Sequence, residues 1–144
     1  MVLRQLRRPV LACALIAAGA GLGSGCGGDR YILIGTAQAP STSGFVTVKG
    51  KTDHGARLLV HLEQLHRVDS LDPALHAYVV WFEDGNQPSV RAGSLRYRAD
   101  DRIGELEASS PYRKFVVKVT AEANDTPSAP SGFVVASEQI STLN

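Results

Sequence analysis

The segment 77–82, Ala-Tyr-Val-Val-Trp-Phe, limits the possible folds more strongly than any other part of the chain. Successive side chains of a strand point to opposite faces. Both faces of this segment are therefore apolar, with Tyr78, Val80 and Phe82 on one and Ala77, Val79 and Trp81 on the other. A strand of this kind needs cover on both sides, as it would have in the middle of a covered sheet or at the centre of a sandwich.

Shorter β-like runs separated by turn residues lie on both sides of this segment. Residues 45–49, 58–63 and 114–122 alternate between apolar and polar side chains, which is typical of strands with one buried face. Asp84-Gly85 follows the apolar segment and indicates a hairpin. We therefore predict an all-β fold, an antiparallel, immunoglobulin-like β-sandwich of about 7–8 strands following an N-terminal signal peptide.

Three connections complete this prediction. Residues 65–75 contain Asp72-Pro73, so we expect a long connection with at most one helical turn. Residues 90–97 and 103–106 are predicted to pair as a hairpin. Residues 124–132 contain prolines, serines and a glycine but no large apolar side chain, which is typical of a loop.

The first 25 residues have the three parts of a secretory signal. Arg4, Arg7 and Arg8 precede an apolar run from Val10 to Leu22, which is followed by small residues. A membrane-spanning helix is the alternative, but it needs about 20 apolar residues and this run is shorter. We predict a lipoprotein signal peptide at residues 1–25, a lipidated cysteine and short tether at 26–30, and the sandwich domain at 31–144.

The end of the signal, Leu22-Gly23-Ser24-Gly25-Cys26, resembles the processing site of bacterial lipoproteins. The resemblance implies diacylglyceryl and palmitate chains on Cys26, which would attach the protein to a membrane of the cell envelope. Because Gly27 is not acidic, the resemblance favours the periplasmic face of the outer membrane over the inner membrane. Gly23 stands where the family usually has leucine, and Ala18-Gly19-Ala20 provides an alternative site for ordinary signal cleavage.

Residues 76–140 resemble the extracytoplasmic C-terminal domain of bacterial anti-sigma-K factors. The matching residues are Tyr78 and Trp81, Gly85, Ala92-Gly93-Ser94-Leu95 and Val134-Val135-Ala136-Ser137. The resemblance implies a small β-sandwich in the envelope, and the whole chain resembles uncharacterised lipoproteins of that sandwich type. It does not imply binding of a sigma factor, because the cytoplasmic helical domain of that family is not found in this sequence.

Charge and cysteine content exclude several classes of function. The chain has 15 basic and 14 acidic residues; loss of the three signal arginines leaves 12 against 14, a net charge of −2. This balance predicts no nucleic-acid partner and no polybasic patch for anionic lipid. Cys13 lies within the signal, so no disulfide is expected in the mature domain.

Two groups of side chains could bind a metal, and for both we favour an ordinary surface role. His61 and Glu63 share the wetter face of one strand near His66, but their spacing fits no established ligand pattern. A second group has enough carboxylates to attract calcium, although Arg98 and Arg102 flank it and favour surface ion pairs. This second group is Asp100, Asp101, Glu105 and Glu107.

No catalytic or cofactor motif is found. Ser94, Ser109 and Ser110 lack a nucleophile elbow, and no glycine-rich phosphate loop joins a strand to a helix. Trp81 could contact a glycan or a partner, but we favour a position in the sandwich core. The only site residue that we predict is therefore the lipidation site Cys26, with no catalytic residue, no cofactor and no metal.

The sequence leaves three functional hypotheses. The first is a lipid-anchored envelope module with a non-catalytic binding or structural role, whose partner is an envelope protein or the cell wall. The second is an accessory or sensor component of an anti-sigma-like envelope signalling system. The third is a secreted hydrolase or metal-binding protein.

Overall fold

The computed structural model describes residues 27–143, which form nine β-strands and one short helix. The predicted signal peptide and Cys26 lie outside the described residues. The strands are β1 (Arg30–Gly35), β2 (Ser43–Lys51), β3 (Ala56–Glu63), β4 (Ala77–Glu83), β5 (Val90–Ser94), β6 (Arg96–Arg98), β7 (Ile103–Ser110), β8 (Lys114–Glu122) and β9 (Val134–Ser141), and the helix is α1 (Val68–Leu71).

All neighbouring strands are antiparallel, in the order β5-β4-β8-β9-β1-β2-β3-β7-β6. The sheet folds over at the β1–β9 junction, where only Ile34 and Gly35 pair with β9. We call β5-β4-β8-β9 the back sheet and β1-β2-β3-β7-β6 the front sheet. Strands β2-β3-β7-β6 and β5-β4-β8-β9 follow the A-B-E-D and C′-C-F-G orders of immunoglobulin-like sandwiches. The predicted fold class is confirmed, with nine strands instead of seven or eight.

The chain passes from the back sheet to the front sheet at Leu95. The amide of Leu95 still donates to the Tyr78 carbonyl of β4, whereas the next residue, Arg96, is paired with Glu105 of β7. The prediction of one strand over residues 90–97 is therefore wrong, because its two halves pair with different sheets. Gly93 has a φ of +148°, a conformation that glycine adopts without steric cost, just before the crossing.

The core between the sheets is formed by alternate residues of the longer strands. On β3 these are Leu58, Val60 and Leu62, as the alternation predicts. Strand β8 contributes every second residue from Phe115 to Ala121, also as predicted. Phe82 and Phe115 pack edge to face across the back sheet, with ring centroids 5.3 Å apart.

The connection between β3 and β4 contains α1, a single helical turn, which agrees with the prediction of at most one such turn there. Two tyrosines hold this connection against the sandwich. Tyr78 donates its hydroxyl proton to the His66 carbonyl at 2.8 Å, and Tyr97 donates to the Leu65 carbonyl at 3.1 Å. Burial raises the pKa of Tyr78, so its hydroxyl stays protonated as this donor. No helix within residues 27–143 is long and apolar enough to cross a membrane.

Candidate binding surface

A row of side chains crosses the outer face of the front sheet, with one residue from each of its five strands. The strand register places Ile32 opposite Phe45, Phe45 opposite His61, His61 opposite Glu105, and Glu105 opposite Arg96. Cross-strand neighbours of this kind lie close enough for their side chains to interact. The row therefore changes from aliphatic to aromatic to charged within one face of the domain.

The aromatic part of the row is closely packed. The rings of Phe45 and His61 are stacked, with centroids 4.7 Å apart and an interplanar angle of 14°. The guanidinium carbon of Arg30 lies 4.1 Å from the Phe45 ring centroid, which is within the range of a cation–π contact. These contacts fix the position of Phe45. Its aliphatic neighbours on β1 remain exposed to solvent.

The charged side chains of the row are paired with one another and with neighbouring side chains of the same face. His61 Nδ1 lies 2.8 Å from Glu105 Oε1, and His61 Nε2 lies 3.1 Å from Glu63 Oε1. Arg98 donates to the other oxygen of Glu105 at 3.2 Å and also to Asp101. The hydrogen bond with His61, together with the one from Arg98, holds the pKa of the Glu105 carboxyl below its ordinary value. The predicted ion pairing of Arg98 is confirmed. That of Arg102 is wrong, because among the described residues its guanidinium donates to the Leu65 and Gln64 carbonyls and to no carboxylate.

An exposed aliphatic strip on β1 continues this face. Ile32 is 58% exposed and Ile34 is 70% exposed, although β1 is an interior strand of the sheet order. Ile34 is the most exposed large hydrophobic side chain among residues 27–143. We call Ile32, Ile34 and the adjoining Phe45 the β1 strip. Apolar side chains grouped in this way on a folded domain are typical of an interaction surface.

The other predicted candidates lie apart from the β1 strip or have ordinary partners. His66 Nε2 lies 3.2 Å from Ser41 Oγ on the surface, a serine–histidine contact that sequence reasoning did not identify. Among the described residues no carboxylate bonds that histidine, so the pair lacks the third member of a catalytic triad.

Ser94 donates to the Asp125 carbonyl and Ser110 to the Tyr112 carbonyl. Within residues 27–143 no three His, Cys, Asp or Glu side chains are arranged to hold a metal.

The position predicted for Trp81 is only partly correct. The side chain is 1% exposed, but the core cluster between the sheets includes its neighbours Val80 and Phe82 and not Trp81 itself. Trp81 lies on the outer face of the back sheet, so its placement in the sandwich core is wrong. The two apolar faces of β4 are both covered, as predicted, but by different parts of the molecule.

Residues 123–133, which we call the cover loop, are fastened onto that outer face. Ser94 donates to the Asp125 carbonyl at 3.0 Å, and Arg91 donates to the Pro127 carbonyl at 3.2 Å, so the loop is held to β5. The loop contains no large apolar side chain before Phe133. Its sequence therefore carries no signal that it covers a buried tryptophan.

A chain of hydrogen bonds links Trp81 to the cover loop. The indole Nε1 donates to Thr120 Oγ1 at 2.8 Å, and the Thr120 hydroxyl donates to Glu122. Glu122 also accepts from the Ser131 amide at 2.7 Å. Thr120 and Glu122 are both buried, although strand alternation predicts them to face outward. They do face outward from the core, and it is the cover loop that buries them.

No protein-family model matches the chain, and no curated protein or solved structure shows significant similarity to it. The class of protein is therefore defined by the fold of residues 27–143, an immunoglobulin-like sandwich. Its distinguishing surface feature is the β1 strip.

Proposed function

We propose that this protein is a lipid-anchored module of the cell envelope with a non-catalytic binding role. Its β1 strip contacts another envelope protein. The observation that carries the proposal is the exposure of Ile32 and Ile34 beside His61 and Glu105, whose polar groups are already paired. An apolar centre with a polar border is the usual composition of a protein-binding patch.

The proposed anchor lies close to this strip in the chain. Cys26 precedes the first residue of β1 by four positions, and four extended residues span at most about 14 Å. Two or three acyl chains on Cys26 would meet the requirement for stable membrane attachment. The partner that we infer is therefore a protein whose aliphatic surface is presented near the membrane.

Replacing Cys26 with alanine tests the anchor. We expect the variant to move from the membrane fraction to the soluble periplasmic fraction, because the acyl chains can no longer be attached. Fractionation followed by mass spectrometry of the wild-type protein measures both localisation and acylation. A Cys26→Ala protein that stays with the membranes would show that another feature anchors it.

Replacing Ile34 with glutamate tests the partner surface. A charge in the centre of an apolar contact should reduce cross-linking to the partner in intact envelopes by about tenfold or more. Because Ile34 is 70% exposed, the free energy of unfolding should change by less than about 0.5 kcal/mol. Quantitative cross-linking and chemical denaturation measure the two effects.

Val90→Glu is the matched control, since Val90 is also an exposed apolar side chain but lies on β5 in the other sheet. It should leave cross-linking unchanged. Equal capture by wild type, Ile34→Glu and Val90→Glu would exclude the β1 strip as the binding surface. If the captured protein is a membrane-spanning regulator, the result favours the signalling hypothesis over a purely structural role.

A further inference from the structure

Five exposed basic side chains lie at the end of the sandwich where β1 begins, which we call the tether end. Strand pairing brings Lys51 beside Ala56 and Ala56 beside Ser110, and it places Lys114 opposite Ser141. The Tyr31 hydroxyl donates to the Ser141 carbonyl, which joins this edge of the back sheet to the start of β1. The five residues, which we call the basic rim, are Lys49, Lys51, Arg57, Arg113 and Lys114.

The side chains of the basic rim are exposed, and most are free to interact with an external anion. Lys51 pairs with Asp29 at 3.1 Å, but within residues 27–143 the other four rim residues form no ion pair. At the opposite end of the sandwich, Arg67 pairs with Asp69, and Arg98 pairs with Asp101 and Glu105. Arg102 at that end forms no ion pair within the described residues, but its guanidinium donates to two backbone carbonyls. Unpaired positive charge is therefore concentrated at the tether end.

The two ends of the domain carry opposite net charge. Besides the basic rim and Arg30, the tether end carries four acidic residues, Asp29, Asp53, Glu83 and Asp84, of which Glu83 is paired with Lys118 of β8. The opposite end has three arginines, Arg67, Arg98 and Arg102, and a larger set of acidic residues: Glu63, Asp69, Asp72, Asp100, Asp101, Glu122 and Asp125. The sequence-based expectation of no polybasic patch rests on the net charge, which does not show how residues of separate strands distribute that charge over the folded domain.

We propose that the basic rim docks on an anionic phospholipid surface and holds the sandwich upright on the membrane. This inference rests on the proposed lipid anchor, because a tether of only a few residues after Cys26 keeps the tether end next to the headgroups. Basic residues near an anionic leaflet are attracted within about one Debye length, roughly 8–10 Å at physiological salt. The acidic opposite end is repelled by the same field, so both ends favour the same orientation.

The orientation can be measured with a fluorophore on a single introduced cysteine. Cys13 and Cys26 are the only cysteines of the chain; the first lies in the predicted signal and the second is the proposed acylation site. Asn86→Cys places the probe in the exposed β4–β5 turn at the tether end, and Ala37→Cys places it in the exposed β1–β2 connection at the opposite end. Purified acylated protein is reconstituted into vesicles that contain a headgroup-bound quencher.

In vesicles containing phosphatidylglycerol, we expect much stronger quenching at Asn86→Cys than at Ala37→Cys. The difference should decrease with added salt and should be much smaller in pure phosphatidylcholine. Adding Lys49→Gln and Lys114→Gln to both labelled proteins should reduce the preference for the upright orientation by about tenfold or more, which is measured as a smaller quenching difference. Arg67→Gln with Arg96→Gln removes the same charge away from the rim and should not reduce the difference.

Equal quenching differences in the two kinds of vesicle would overturn the proposal, since the tether alone would then explain the orientation. A stronger effect of inorganic phosphate than of chloride at the same ionic strength would also overturn it, because the rim would then be a binding site for free phosphate. Failure of the anchor is seen separately, as absence of acyl chains in the mass of the purified protein before reconstitution.

Discussion

Replacing Trp81 with alanine should lower the free energy of unfolding by about 3–5 kcal/mol, the range for a large buried aromatic side chain. The indole is 1% exposed, and its Nε1 proton is bonded to Thr120. The loss should also loosen the cover loop, because the hydrogen-bond chain from Trp81 through Thr120 and Glu122 ends at Ser131. Chemical denaturation followed by circular dichroism measures the first effect, and limited proteolysis within residues 123–133 measures the second.

Trp81→Phe is the control, because it keeps most of the apolar volume and removes the indole donor. It should cost only about 1–2 kcal/mol, which corresponds to one buried hydrogen bond and a small change in packing. A Trp81→Ala protein that loses less than about 1 kcal/mol would show that the tryptophan is not covered in solution. Unchanged proteolysis of the cover loop would show that the loop does not depend on it.

Replacing Phe82 with alanine should also cost about 3–5 kcal/mol, but through the core between the sheets. Phe82 is fully buried and packs edge to face against Phe115 at 5.3 Å. Because neighbouring residues of a strand face opposite sides, the native environment of Trp81 should be almost unchanged. Trp81 is the only tryptophan of the chain, so its fluorescence reports both the native environment and the unfolding transition.

Phe82→Leu should cost less than about 1.5 kcal/mol, since it keeps a large apolar side chain in the core. Together the variants at positions 81 and 82 distinguish two separate buried regions on one strand. A shift of the native Trp81 emission in Phe82→Ala, as large as the shift on unfolding, would contradict their separation. Faster cleavage of the cover loop in Phe82→Ala than in Trp81→Ala, compared at equal free energy of unfolding, would also contradict it.

If the proposals are correct, the sandwich has three surfaces with different tasks. The basic rim would face the membrane, the β1 strip would contact a partner protein, and the cover loop would seal the outer face of the back sheet. Ile32 and Ile34 lie on the strand that starts at the tether end, so membrane docking and partner binding would be coupled by geometry. Upright docking would hold the β1 strip at a constant height above the bilayer.

Most of the strands follow from local sequence patterns. On β3 and β8, apolar residues at every second position face the core because period two is the geometry of a strand. The turn after β4 also follows from local residues, Asp84-Gly85, and Asp72-Pro73 limits the helix before it to a single turn. The split between β5 and β6 does not, because residues 90–97 have no local signal for pairing with two different sheets.

The candidate surface was only partly predictable. Alternation places His61 and Glu63 on one face of β3, and the structure confirms this. The contacts of His61 with Phe45 and Glu105 depend on the register of β3 against β2 and β7, which no single segment specifies. The chain order of charges likewise gives no indication of the basic rim, whose members come from the β2–β3 hairpin and from the start of β8 with the residue before it.

The sequence by itself determined that this chain forms an antiparallel all-β domain and that both faces of 77–82 need cover, because alternation and turn chemistry act over a few residues. The tertiary structure decided which part of the molecule covers each face, where the sheet folds over, and which side chains meet on its surface. These depend on pairing between residues far apart in the chain. Glu105 meets His61 across 44 positions, and Trp81 meets Thr120 across 39.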